Sequence, residues 1–533
     1  MTCAPSLIVQ HARRVLVAVT VTILATMAWA ATGFDVFAQE RLEACAADCF
    51  VLTRVSVEGV TAYPLAELAG TYDRLLAREI DVDDLVGVAT AITDKYRGDG
   101  YFLTRAAVAP LEPGTGSATI VVYEGFISEV EVDGPARAAL TPVLRPVAGR
   151  RPLRIAELDR RLALASDFPG VEIVNSIEPV LGDPAAHRLV VVSKLKRAEG
   201  ALYLENRGSS SQGPWQGYST GSVNSAIVPG DQLTLSVLTT PENVEELTYG
   251  EVAYSAVLAG GGRGRFAVSG YTTDAPPTSP NGWVGSQSAA VSASIAQPLV
   301  RSRQRSLWLN GALDVREVQQ SFDGTGSNNE RLSVARVWLS GQQRFDSGYL
   351  GGALQLSRGL DLFNATTEIA PGLTRSDADG QFTKLNINIY GYRDLGRVAG
   401  IYGQISGQWS DDALLGSEEF FVGGPSLGRA FSYGEAGGDD GVAGMIELRV
   451  GWRPKAPAVT FVQLFSFVDA ARLSNRSSVG WRTNELSSVG FGVRASFKGE
   501  ATLKIEVAKP MERPDYSRRD TGWRTFVSVS KTF

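Results

Sequence analysis

The sequence predicts a transmembrane β-barrel of about 16 antiparallel strands, preceded by two small α+β domains. Three observations lead to this fold class. The N-terminus has the pattern of a secretory signal, and residues 50–198 contain the same order of strands and helices twice. Residues 199–533 alternate apolar and polar side chains without a helical period. That last region provides about 21 residues per strand for 16 strands, which fits a span of about 10 residues plus a turn or loop.

Residues 1–30 have the three parts of a signal peptide. Arg13 and Arg14 precede an apolar run over residues 15–27, and residues 28–30 read Ala-Trp-Ala, a small-residue cleavage site. The alternative is an uncleaved membrane anchor, but the run is short for a spanning helix, which favours cleavage. Since no later run approaches the about 18 apolar residues of a transmembrane helix, we expect the mature chain to be secreted, periplasmic or an outer-membrane barrel.

Residues 31–49 form a short leader that contains Cys45 and Cys49. In an oxidising compartment, two cysteines at this spacing predict a small disulfide loop. Two free thiols are the alternative.

Composition and charge argue against several classes of function. The net charge is −6 and no basic tail or stripe is present, which disfavours a nucleic-acid partner. The two histidines are His11, in the signal, and His187, in a turn-like segment. One histidine and two close cysteines do not make the usual zinc site, and a Ser-His-Asp triad would depend on a loop histidine. The sequence therefore predicts no metal, no cofactor and no enzyme activity.

Residues 50–126 are predicted to form the first α+β domain, from alternation in the strands and helical spacing of apolar residues in the second helix. The predicted elements are a strand from residue 50 to 58, a first helix that opens with residues 64–70, a second helix that ends at residues 98–100, and strands over 102–108 and 119–125. Asp81 or Asp83 is the expected cap of the second helix. Residues 127–198 repeat this order. Their predicted elements are a strand over 127–132, helices over 136–144 and 155–164, and strands over 171–177 and 189–195. A tandem repeat of small modules favours scaffolding or binding over catalysis.

The region 199–533 is predicted to be the barrel. Leu385, Ile387 and Ile389 alternate with polar residues, and Glu447 and Glu506 lie on the polar sides of similar strands. A soluble sandwich shows the same alternation. The length of the region, the envelope signal and an aromatic residue at the end of the last strand favour a membrane barrel.

One segment near the end of this region is built like a loop. Residues 421–435 are rich in Gly and Pro and yet contain Arg429. Asp469 follows inside an otherwise apolar strand. We therefore expect a loop folded into the lumen and held by an ion pair between Arg429 and Asp469.

This organisation resembles the outer-membrane transporters of two-partner secretion, the TpsB or ShlB/FhaC/HecB family of the Omp85 superfamily. The two repeated modules resemble POTRA domains, and Glu124-Gly125 is similar to the pair that closes their third strand. Residues 428–431 are similar to the loop-6 motif of the superfamily, with Ala430 in place of its Gly, and residues 467–469 are similar to the F-x-D motif that receives the Arg. The site residues that the resemblance implies are Gly428, Arg429, Ala430, Phe431, Phe467 and Asp469.

The resemblance also implies a function. It implies a pore in the outer membrane of a Gram-negative bacterium, with periplasmic POTRA domains, that exports one large haemolysin- or haemagglutinin-like partner without ATP. This partner would be TpsA-like and β-helical. The barrel would lie among outer-membrane lipids after insertion by the barrel assembly machinery. Because many members carry a plug helix and residues 31–49 leave little room for one, we expect a short or missing plug.

Three alternatives remain at this point. An Omp85-type assembly or insertion factor has the same motifs but usually more POTRA modules. The scarcity of histidine argues against most membrane-bound enzymes, and a passive porin has no need of the repeated modules.

Overall fold

The computed structural model describes residues 49–111, 114–209, 213–274, 284–322, 326–369, 372–476, 482–513 and 522–533. The predicted signal peptide and most of the leader, including Cys45, lie outside these residues. No helix in the described ranges is long and apolar enough to cross a membrane.

The first α+β region places two helices beside a three-stranded sheet. Its elements are β1 (Phe50–Val51), β2 (Arg54–Glu58), α1 (Ala66–Ala69), β3 (Glu79–Ile80), α2 (Val82–Gly98), β4 (Arg105–Val108) and β5 (Ser117–Tyr123). The sheet order is β2-β5-β4, with β2 parallel and β4 antiparallel to β5, while β1 pairs with β3. A capping box between Asp81 and Asp84 starts α2. Its apolar face, which the spacing predicts, is buried.

Two predicted elements of this region are shorter in the structure. The first helix, expected to open with residues 64–70, extends only from Ala66 to Ala69. The strand expected from residue 102 begins at Arg105, because Gly100 has a φ of 89° and the N–H of Thr104 donates to the carbonyl of Tyr101 in a turn. The pair of β1 and β3 was not predicted, since strands of two residues contain no periodicity.

The second α+β region has the predicted order of elements. They are β6 (Phe126–Asp133), α3 (Arg137–Leu144), α4 (Ile155–Ser166), β7 (Val171–Pro179) and β8 (Ala186–Leu195). The strands form a sheet in the order β6-β8-β7. The predicted domain boundaries at 126/127 and 198/199 stay predictions.

The remaining strands form a closed antiparallel barrel of 16 strands, which confirms the predicted fold. They are β9 (Ala198–Glu205), β10 (Gln216–Asn224), β11 (Gln232–Thr239), β12 (Thr248–Val257), β13 (Arg263–Asp274), β14 (Val284–Arg301), β15 (Arg305–Phe322), β16 (Gly326–Phe345), β17 (Gly348–Gly359), β18 (Thr383–Asp394), β19 (Ala399–Ser410), β20 (Asp440–Trp452), β21 (Val459–Asn475), β22 (Arg482–Phe497), β23 (Ala501–Glu512) and β24 (Arg524–Thr532). The barrel closes where β24 pairs with β9, from Ser528↔Glu205 to Thr532↔Ala201.

The alternation along the barrel strands separates the two faces as predicted. Leu385, Ile387 and Ile389 are exposed on the outside of β18, whereas Lys384 of the same strand is buried. On β20, Ile446 and Leu448 are exposed and Glu447 between them is buried. An apolar exterior and a polar interior are typical of a membrane barrel.

Contacts divide the described residues into two compact units. The first contains residues up to 128 with 149–155 and 179–187, and the second contains 129–148, 156–178 and 188–533. The second unit therefore joins α3 and nearly all of α4 to the barrel.

Candidate functional site

The segment between β19 and β20, residues 411–439, folds into a hairpin-like loop. Val422 and Ala436 exchange backbone hydrogen bonds of 2.8 and 3.1 Å, and Phe420 and Gly438 do the same at 2.7 and 3.1 Å. Near the tip, Gly428 has a φ of 71°, in the left-handed region, and an added Cβ would lie 3.0 Å from the backbone nitrogen of Gly423. A glycine at 428 therefore permits the turn that presents the next residue, Arg429.

The guanidinium of Arg429 lies between two carboxylates of the barrel wall. Nη1 contacts Oε2 of Glu447 on β20 at 2.5 Å, while Nη2 and Nε bind both carboxylate oxygens of Glu506 on β23. Arg429 is 1% exposed and both glutamates are 0% exposed. Since Glu447 faces the barrel interior, these contacts place the loop tip inside the lumen.

Asp469 holds the backbone of the loop and not the guanidinium, so the predicted ion pair between Arg429 and Asp469 is wrong. The N–H of Arg429 donates to Oδ2 of Asp469 at 3.0 Å, and the Ser488 hydroxyl donates to Oδ1 at 2.7 Å. The physical reason is the length of the arginine side chain. Asp469 lies at the level of the Arg429 backbone, whereas Glu447 and Glu506 lie farther along the wall at the level of its charged end.

The rings of two phenylalanines of β21 pack against the guanidinium of Arg429. The Cζ of Arg429 lies 3.7 Å from the ring centre of Phe467 and 5.1 Å from that of Phe465, distances at which cation–π attraction is significant. Gly490 and Gly492 of β22 make room for these rings. A Cβ at either glycine would come within 2.5 Å of Phe467 or Phe465, respectively.

The predicted motif residues Ala430 and Phe431 join the same site. Both are fully buried, in an apolar cluster that also contains Phe465 and Phe467. The structure therefore brings the loop motif and the F-x-D strand together, although through different contacts from those predicted.

Arg207, in the segment that follows β9, is a second buried arginine in the network. It is 1% exposed, and its Nη2 donates to Oε1 of Glu506 at 2.9 Å. Its Nη1 donates to the backbone carbonyl of Arg429, and its Cζ lies 3.6 Å from the ring centre of Phe526. Arg207 thus contacts both the loop and the glutamate that the loop binds.

The loop also contacts the two strands that close the barrel. The hydroxyl of Tyr433 donates to Glu205 at the end of β9. Arg524 at the start of β24 donates to the carbonyl of Ala430 at 2.8 Å. The loop is therefore bonded to both of the strands that close the barrel.

Several cations share the two central carboxylates. Arg494 donates to both oxygens of Glu447 at 2.8 and 2.9 Å, and Arg449 donates to Glu447 at 2.7 Å. Lys504 lies 2.8 Å from Glu506. Because charges buried in this way are costly unless they are paired, the network strongly favours one position of the loop tip.

The base of the loop has its own ion pairs. Glu418 binds Arg336 of β16 at 2.7 Å and Lys384 of β18 at 2.8 Å. Asp439, at the other end of the loop, binds Arg375 at 2.6 Å. The loop is thus held to the wall at its base and at its tip.

Glu447, Glu506 and Arg207 were not predicted to belong to the site. Both glutamates lie on the polar side of alternating strands, and a carboxylate on the inward side of a barrel strand is the sequence feature that could have identified them. Cys49 is disulfide-bonded; its predicted partner, Cys45, lies outside the described residues, so the pairing stays a prediction. In the described part of the chain, no group of His, Cys, Asp and Glu residues is arranged to hold a metal ion.

Comparison with known proteins places the chain in a family. The family model of the haemolysin secretion/activation protein ShlB/FhaC/HecB matches residues 189–495, and that of the ShlB-type POTRA domain matches residues 50–125. The heme/hemopexin transporter protein HuxB of Haemophilus influenzae is 22% identical over 504 residues, covering 91% of this chain and 86% of HuxB. The outer membrane transporter CdiB of Escherichia coli is 23% identical over 524 residues, covering 90% of this chain and 82% of CdiB.

The fold agrees with a solved structure of this group. CdiB from Escherichia coli superposes with a TM-score of 0.73 at 20% identity, over 92% of both chains. The first family match extends over more than half of the chain. This protein therefore belongs to the ShlB/FhaC/HecB family of outer-membrane transporters of two-partner secretion, with its POTRA domains in the periplasm.

Proposed function

We propose that this protein is the outer-membrane pore for one large haemolysin- or haemagglutinin-like partner, and that it is not an enzyme. The observation that carries the proposal is the loop held inside the lumen by the Arg429 network. A buried ion network on a loop tip, rather than a cluster of nucleophiles or metal ligands, favours a gated passage. The similar proteins HuxB, a heme/hemopexin transporter protein, and CdiB, an outer membrane transporter, support the same class of function.

The energy for export is proposed to come from the partner itself, since the periplasm contains no ATP. A β-helical, TpsA-like partner would cross in an extended form and fold outside the cell. Folding outside makes the return of the chain unfavourable, and each section that folds draws the next section through the barrel.

The inner wall suits a moving chain. Many of its side chains are polar and uncharged, and some bond to one another, such as Asn388 with Ser406 at 2.6 Å and Ser222 with Thr234 at 2.9 Å. A wall whose hydrogen bonds are already satisfied binds a passing polypeptide weakly. Weak binding allows release at each step.

The POTRA domains are proposed to receive the partner before it enters the barrel. In the first domain the sheet order β2-β5-β4 leaves β2 and β4 at the edges. An extended segment of the partner can add to such an edge by backbone hydrogen bonding. The barrel itself would be inserted by the barrel assembly machinery and would contact outer-membrane lipids.

Deletion of the gene tests the proposal, with analysis of the medium for large exoproteins. Loss of one β-helical exoprotein, with other outer-membrane barrels intact, would support a dedicated transporter. A second strain that lacks only residues 50–197 separates the role of the periplasmic domains from that of the barrel. A general loss of barrels would instead indicate the alternative, an Omp85-type insertion factor, and no change in either would contradict both functions.

A further inference from the structure

A basic cleft of about 640 Å³ lies at the periplasmic end of the barrel. The chain passes from β8 into β9 at this end, so the turns after β10, β12, β14 and β16 lie there as well. The charged residues that line the cleft are five arginines and one carboxylate: Arg263, Arg301, Arg303, Arg305, Arg344 and Asp167.

The wall of the cleft is a fixed structure, because the end of α4 is seated on the barrel turns. Arg301 binds Asp167 through two hydrogen bonds of 2.6 and 2.7 Å. Phe168 lies so close to Gly230, in the turn after β10, that an added Cβ there would come within 2.6 Å of its ring. Leu164 lies equally close to Gly261, in the turn after β12.

The positive charge in the cleft exceeds the negative charge. Arg301 is neutralised by Asp167, and Arg303 lies 3.6 Å from Asp159 in a partly exposed pair. Among the residues that the structure describes, Arg305 and Arg344 form no salt bridge with a carboxylate, and both are exposed. These two guanidinium groups are free to bind an anion.

The cleft lies at the rim of the barrel, and part of its lining faces the interior. Along the unbroken register of β16, Arg344 falls on the same side as Arg336, which binds Glu418 of the lumenal loop. Trp308 of β15 shares the inward side with buried Asn310 and lies 5.8 Å from the Cζ of Arg263. The outward side of these strands is apolar and exposed, as at Leu309 and Leu339. Arg305 falls on this outward side in the register of β15, at the rim of the barrel.

We propose that this cleft binds carboxylate side chains of an extended polypeptide segment as it enters the barrel. The inference rests on the proposed export function and adds the chemistry that the entering segment must have. Arginine recognises carboxylates through paired N–H groups, and an exposed cationic surface accelerates the encounter with an acidic chain. A phospholipid headgroup is the competing ligand, and the inward position of Arg344 and Trp308 favours the polypeptide.

The test uses the full-length transporter in nanodiscs of phosphatidylcholine and measures fluorescence anisotropy of labelled peptides. The probes are twelve-residue peptides that alternate Gly with Glu, and otherwise identical peptides that alternate Gly with Gln. We expect the Glu peptide to bind about tenfold more tightly at low salt and to lose this advantage toward 0.5 M NaCl, where the screening length falls below about 5 Å.

The variant is Arg305→Glu with Arg344→Glu, which leaves the Arg301–Asp167 contact in place. We expect it to lower affinity for the Glu peptide about tenfold, since two exposed ion pairs are lost and the reversed charges repel the peptide. The matched control is Arg393→Glu with Arg397→Glu. It makes the same charge change at exposed positions around the turn between β18 and β19, outside the cleft, and should leave binding unchanged.

Three results would overturn the inference. The first is equal binding of the Glu and Gln peptides, and the second is an equal loss of affinity in the control variant. The third is that no peptide binds, while the transporter binds phosphatidylglycerol in nanodiscs and the Arg305/Arg344 variant weakens that binding. This third result would indicate a site for lipid headgroups. Failure of the proposed function is separate, because it is judged by secretion in the deletion strain. A strain that secretes normally without the gene refutes the export function even where the peptide binds.

Discussion

The backbone N–H of Arg429 donates a hydrogen bond of 3.0 Å to Asp469, while the guanidinium of the same residue reaches past Asp469 to other carboxylates. One residue of the loop is thus held twice, by its backbone and by its charged end. The two attachments have different chemistry, and they can be separated by mutation.

Replacement of Arg429 by Ala should destabilise the barrel and abolish secretion of the partner. Loss of one member of a buried ion network costs about 3–5 kcal/mol, and less here because other cations remain on Glu447 and Glu506. The measurement is the temperature at which the folded barrel loses its fast mobility in SDS gels, together with the amount of partner in the medium. Arg472→Ala is the control, since its pair with Glu485 is 3.6 Å long and exposed. Normal secretion by Arg429→Ala would contradict a functional role for the network.

Asp469→Asn should be milder than Glu506→Gln. The Asn side chain keeps an oxygen that can accept from the Arg429 backbone, whereas Gln at 506 removes the charge that Arg429, Arg207 and Lys504 share. Hydrogen bonds to charged groups contribute about 1.5–3 kcal/mol, so the difference is measurable. The same gel assay ranks the two variants. A larger effect of Asp469→Asn would mean that Asp469 is the principal acceptor of the guanidinium.

Gly490→Ala should disturb the site without a change in charge. The new Cβ would lie 2.5 Å from the Phe467 ring, which supports Arg429, and 2.6 Å from the backbone oxygen of Val507. Overpacking of this kind costs about 1–3 kcal/mol. Gly403→Ala, where the nearest atom to the new Cβ is 3.8 Å away, provides the matched barrel control. Equal melting temperatures of the two variants would show that the structure accommodates the new methyl group without loss of stability.

The first POTRA domain should lose stability at acidic pH through Glu124. Burial would raise the pKa of this carboxyl, but hydrogen bonds from Thr61, Tyr96 and the backbone of Ala62 outweigh it and hold the pKa below its ordinary value of 4.5. Because the folded pKa is depressed, the stabilisation is fully present above 4.5 and is lost as the pH falls through the folded value.

Hydrogen exchange of the full chain, corrected for intrinsic rates, measures this effect in residues 117–125. Protection should be constant above pH 4.5 and should decrease at more acidic pH. In Glu124→Gln, protection should be lower at neutral pH and should vary less below pH 4.5. A pH profile that is the same in both proteins would assign the acid sensitivity to another group.

The sequence alone determined the classes of the elements and the order in which they occur. Alternation over residues 199–533 predicts strands with one apolar and one polar face, and the length of the region together with the export signal favours a membrane barrel over a soluble sandwich. Apolar residues at helical spacing predict α2, because they fall on one face of the helix and that face is buried. The Gly-rich composition of 421–435 predicts that Arg429 lies on a loop, since such a segment forms no regular ladder.

The tertiary structure decided which groups meet. Glu447, Glu506 and Arg207 are far apart in the sequence, and only the closed barrel and its strand register bring them around Arg429. An inward carboxylate looks the same in any alternating strand, so local pattern cannot choose among Asp469, Glu447 and Glu506. That choice depends on the level of each residue along the wall and on the reach of the arginine side chain, and both are properties of the folded barrel.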